Sequence, residues 1–173
     1  MPRYLIDTDA GTCVPFSGGV LLYDNIADAM ESCLGASEWD ATTEKIQTWF
    51  YGSFVKDAWC ATGLSYFSML AKKLTQTGQH ENVDSMKEYM DSRGMLDCTK
   101  NYGGGAYTPK RGDVVFMSSK YSYLDCTHVG VISEVDTHTG KVVVTSCNCD
   151  NSIKKKTYNY LTDKYIVAWG RID

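Results

Sequence analysis

A chain of 173 residues with 17 basic and 21 acidic side chains, formal net charge -4, is expected to form one domain. That charge argues against nucleic acid as a partner, because such binding rests on clustered Lys and Arg neutralising phosphates. Hydrophobic residues are 43% of the chain and charged residues 22%, as in globular proteins that bury a core, and no apolar run approaches the ~18 residues a membrane span needs.

The first ~20 residues carry strand and turn signals, Tyr4-Leu5-Ile6 and then Gly11, Pro15 and Gly18-Gly19. Asp7 and Asp9 stand at alternate positions there, a partial calcium pattern without the glycine-spaced loop and distal Glu of an EF-hand, so no cofactor is expected. The start also lacks the apolar stretch of a signal peptide. Asp24-Asn25 can cap a helix to about Leu34, with Ile26, Met30, Cys33 and Leu34 on one face. A second helix is predicted from about Thr43 to Phe50, with Ile46, Trp49 and Phe50 inward, before Tyr51-Gly52-Ser53 breaks the pattern. The clearest helix runs from Asp57, as its cap, to Leu74, with Cys60, Leu64, Phe67, Leu70 and Ala71 recurring at spacings of three and four. A further helix spans about Asn82 to Ser92 and ends at Gly94.

Beyond the loop at Asn101-Tyr-Gly-Gly-Gly-Ala106 the periodicity changes to strands: Asp113 to Met117, His128 to Val135, Lys141 to Ser146 and Tyr165 to Trp169. Helices first and an antiparallel meander afterwards predict an α+β fold, papain-like in order, with no repeat or linker to support a second domain. The Lys154-Lys155-Lys156 run reads as a solvated turn or strand edge. Seven cysteines leave at least one unpaired; reduced thiols are expected, with three bridges around one reactive thiol as the alternative.

Cys60 falls in the first turn of the longest helix, where free backbone N–H groups and the helix dipole favour a thiolate and can hold an oxyanion. Of the three histidines, only His128 opens an apolar strand, a rigid position from which to reach a helix terminus. The order nucleophile, base, polar orienting residue then points to Asn148 at the end of the next strand, with Ser146 on the same face. Each residue alone also fits a structural role: a small core residue for Cys60, a strand start for His128 and a turn for Asn148. Residue chemistry by itself leaves the enzyme and the structural readings level.

The motifs tilt that balance. Asp57-Ala-Trp-Cys-Ala-Thr-Gly-Leu-Ser-Tyr-Phe67 resembles the nucleophile helix of CHAP domains, the cysteine, histidine-dependent amidohydrolases/peptidases. Pro109-Lys-Arg-Gly-Asp-Val-Val-Phe116 is similar to their Gly-Asp strand entry, and Thr127 to Asp136 to their His strand. Val144-Thr-Ser-Cys-Asn-Cys149 sits where many members read Glu-Gly-Asn, and Val167-Ala-Trp-Gly-Arg171 resembles their closing strand. The resemblance implies Cys60 as nucleophile, His128 as base and Asn148 as orienting residue; Ser146 replaces a frequent Glu and Cys147 a usual Gly. It further implies hydrolysis of a peptidoglycan amide, at the muramoyl–alanine link or within the stem or cross-bridge peptide, by a monomer or a module of a larger protein acting at the bacterial wall. Trp49, Tyr51, Trp59, Tyr107 and Ser146 are the expected substrate-lining residues. Two other readings remain open: a Cys/His hydrolase of a protein or small amide, such as a deamidase or toxin domain, and an inactive wall-binding module.

Overall fold

The computed structural model describes residues 23–172; the early strand and turn signals, Asp7, Asp9 and Cys13 lie outside them. Among the described residues five helices precede a six-stranded antiparallel sheet, the expected α+β order. Helix α1 (Ile26–Glu31) starts at Asn25, whose carboxamide accepts from Asp28 N, and α2 (Ala41–Tyr51) starts at Asp40, which accepts from Thr42 N and Thr43 N. Helix α3 (Cys60–Leu70) is shorter at both ends than its sequence pattern suggests. Its N-cap is Trp59, which makes no side-chain cap bond, while Asp57 accepts from Ala58 N at 2.7 Å in an exposed loop. At the other end Lys72 has φ 59°, a left-handed step that separates α3 from α4 (Leu74–Thr77). Asn82 caps α5 (Val83–Ser92) through Asp84 N and Ser85 N.

The sheet holds β1 (Leu96–Cys98), β2 (Val114–Met117), β3 (His128–Asp136), β4 (Lys141–Cys149), β5 (Ser152–Asn159) and β6 (Ile166–Gly170), in the spatial order β1-β6-β2-β3-β4-β5. Sequence periodicity misses β1, three residues long, and β5, whose Lys run hides an edge strand: its residues 154–157 are exposed. Val114, Phe116, Val129, Val131 and Cys147 face the helices, and Val115, Met117, Ile132, Val142 and Val144 face the opposite side. Nearly every residue of α3 is buried, which suits a helix enclosed between the other helices and the β3–β4 face.

Two local devices tie together segments far apart in the chain. Gly63 lies on Cys147: a Cβ at position 63 would come within 2.5 Å of Cys147 Sγ and 2.7 Å of its Cβ. The Cys147 thiol on β4 is thus accommodated by a missing side chain on α3. Asp113, fully buried just before β2, accepts from Lys110 N (2.8 Å), Tyr107 Oη (2.8 Å) and Ile172 N (3.1 Å). It latches the loop entering β2 to the end of β6, and this accounts for the Gly-Asp strand entry.

Candidate active site

The start of α3 and the start of β3 meet. Cys60 is 9% exposed, and the backbone amides of Ala61, of Cys60 itself and of Val129, the residue after His128, act on its thiol in favour of thiolate. His128 is half-buried and pairs with Met117 at the last position of β2. Its Nε2 lies 2.9 Å from Ser146 Oγ. That bond depends on Gly130. A Cβ at 130 would fall 2.9 Å from Ser146 Cβ, so its absence lets β4 bring the hydroxyl diagonally to the imidazole two residues away on the same face.

A tether from the helical layer holds the approach to His128. Lys87 on α5, 4% exposed, donates to Asp84 Oδ1 (2.8 Å) and to the carbonyl of Tyr123, and Asp84 accepts from Cys126 N at 3.1 Å. The segment leading into β3 is therefore anchored by a partly buried ion pair. Neither Asp84 nor Lys87 nor Gly130 stands out in the sequence, because the helix periodicity that reveals α5 says nothing of a partner some forty residues on.

The remaining expected site residues are not gathered around this pair. Asn148 is not bonded to His128 among the described residues; the imidazole's partner is Ser146. The ladder between β4 and β5 slips between Ser146 and Cys149, and Asn148 sits at φ 53° within that slip, which breaks the alternation that would have carried its amide to the ring. Trp59 is fully buried, so it packs the core rather than lining a groove. Trp49 is half-buried and meets Tyr66 of α3 edge to face, ring centroids 5.5 Å apart. Tyr107 is bonded to Asp113, four residues of strand or ~13 Å from the β2 end that pairs with His128. Tyr51 rims a surface pocket of about 290 Å³ with Asp57, Ala58, Glu81 and Asn82, beside the loop that leads to Cys60.

Electrostatics refine the expected helix-terminus effect. Burial pushes the Cys60 thiol up from its ordinary range, and the amides of Ala61, Cys60 and Val129 draw it only partly back. Burial pulls the His128 imidazole down to about 4, aided by the positive charge of Lys156 and opposed by Asp150. At neutral pH the resting pair is thus thiol and neutral imidazole rather than thiolate and imidazolium. Cys60, Cys98, Cys126, Cys147 and Cys149 are free thiols, and no cluster of three or more His, Cys, Asp or Glu among the described residues is placed to hold a metal. No described helix is long and apolar enough to cross a membrane.

Comparison with known proteins follows the same residues. No curated protein matches the chain. The family model of the CHAP domain matches residues 47–148, which take in α3, the Gly-Asp entry, the His strand and β4 up to Asn148. The chain belongs to the CHAP domain family of cysteine, histidine-dependent amidohydrolases/peptidases.

Proposed function

We propose that this protein hydrolyses an amide bond of bacterial peptidoglycan through a Cys60 thioester, as an N-acetylmuramoyl-L-alanine amidase or a stem or cross-bridge endopeptidase acting at the wall. The observation that carries the reading is the imidazole of His128, held through Nε2 by Ser146 at 2.9 Å on a strand whose next amide, that of Val129, acts on the Cys60 thiol. With Nε2–H donated to Ser146 Oγ, Nδ1 carries the lone pair. It takes the Cys60 proton as sulfur attacks the amide carbon, so charge develops during attack instead of being stored beforehand. The developing oxyanion finds backbone N–H groups at the start of α3. The imidazolium then protonates the leaving amine, and water drawn to Nδ1 cleaves the thioester to the free acid, restoring the thiol.

Family membership supports the peptidoglycan-related substrate class. The test is purified peptidoglycan, read by release of new amino groups and by mass analysis of the fragments, which also names the bond. Wild type should release amines and Cys60→Ala should release none while keeping its melting temperature. Equal release by both proteins, or no release by wild type, overturns the reading.

A further inference from the structure

The Lys154-Lys155-Lys156 run is not one patch. Register divides it: Lys155 pairs with Thr145 and turns to Glu31 (3.4 Å) and Glu134 (3.8 Å), whereas Lys154 pairs with Ser146 and Lys156 with Val144. Cross-strand partners share a face. Lys154 and Lys156 therefore stand on the sheet face opposite the helices, the face that carries His128 and Ser146. Both ammonium groups reach one carboxylate, Asp150, at 3.7 and 3.1 Å, leaving one positive charge in excess. All three side chains are about half exposed. The same face continues into Tyr158, paired with Val142, whose ring lies 5.6 Å from that of Tyr165 at 33°. An exposed cation pair next to the catalytic imidazole, backed by an aromatic wall, is an arrangement for an anionic group on an extended chain.

We propose that Lys154 and Lys156 form a subsite for a free carboxylate of the substrate, and that the protein selects peptide chains carrying one near the bond to be cut. This rests on the hydrolase reading above. It also has a consequence for the base. The Lys156 charge disfavours imidazolium at His128. A carboxylate drawn to the lysines offsets that field and makes His128 a better base only when the right chain is bound.

Two preparations of one peptidoglycan, stripped of teichoic acid, test the assignment: one with free carboxylates, one with them coupled to ammonia by carbodiimide. Wild type should cleave the free-carboxylate wall about tenfold faster, a preference that weakens with salt. Lys154→Gln/Lys156→Gln should level the two rates, and Lys154→Arg/Lys156→Arg should retain the preference. Cys60→Ala should sediment with the free-carboxylate wall more than with the amidated one, and lose that difference when combined with the two Lys→Gln changes. Cleavage that ignores amidation, or a preference that survives the double Gln variant, overturns the carboxylate subsite alone. Carboxylate-dependent sedimentation without amine release overturns the hydrolase reading alone. Neither cleavage nor charge-dependent binding overturns both.

Discussion

The β2–β3 hairpin has two ends built on opposite principles. At one, Asp113 is fully buried with three donors on its carboxylate, and the backbone is tied as well, Ile132 N donating to Asp113 O at 2.8 Å. At the other, His128 has Ser146 as its side-chain partner, and its charged form is penalised by burial. The adjoining turn holds Asn148, Asp150 and Asn151 at positive φ, and Trp59 Nε1 and Thr62 Oγ1 on the neighbouring helix are buried with no partner among the described residues. The Asp113 carboxylate is fully bonded at the latched end, whereas unpartnered polar atoms and left-handed residues stand beside the proposed site. That contrast is expected when strain and reactive groups are held in place by well-bonded surroundings.

Substitutions can break this comparison. Cys60→Ala should remove amine release from peptidoglycan altogether, and His128→Ala should lower it about a thousandfold, with little change in thermal unfolding. A melting temperature that falls sharply in either variant would place these residues at the latched end of the comparison. Asp113→Ala should do the opposite: it leaves three donors unpaired and lowers stability by roughly 3 kcal/mol in denaturant unfolding, while the folded fraction keeps its turnover. Gly63→Ala should cost about 2 kcal/mol through collision with Cys147, and Cys147→Gly in the same chain should recover most of it.

Finer changes sharpen the site end. Ser146→Ala should reduce kcat about tenfold or more, since it frees the imidazole to turn, whereas Asn148→Ala should leave kcat nearly unchanged and cost about 1 kcal/mol of stability for its left-handed backbone. Equal rate losses would return Asn148 to the catalytic group. A last change concerns pH. His128 holds its proton less tightly folded, at about 4, than unfolded, near 6.5. As pH falls through that window the unfolded chain binds the proton first, so stability drops, by at most about 3 kcal/mol for this residue. His128→Gln should flatten that part of the stability–pH curve; an unchanged slope would mean the ring is not desolvated.

Much of this was legible in the chain. Helix periodicity and caps located α1, α2, α3 and α5, alternation located β2, β3, β4 and β6, and the ordered motifs around Cys60, Gly112-Asp113 and His128 carried the family. These signals are local, because a cap, a period of 3.6 or 2, or a short motif involves neighbours in sequence. The edge strand β5 was hidden by its lysines, since an exposed edge needs no apolar alternation.

Tertiary structure decided the rest. Which of Ser146 and Asn148 meets His128 depended on a slip in the β4–β5 ladder and on the absent side chain of Gly130. Whether Cys60 rests as thiolate depended on how far burial outweighs the helix terminus. In sequence Trp49, Trp59 and Tyr107 offer rings for a substrate groove, but burial, an edge-to-face contact and a distant carboxylate assign them to packing. The sequence alone determined which chemical groups were available and in what order along the chain. Their partners and protonation were set by contacts between segments dozens of residues apart, and those exist only once the sheet closes on α3.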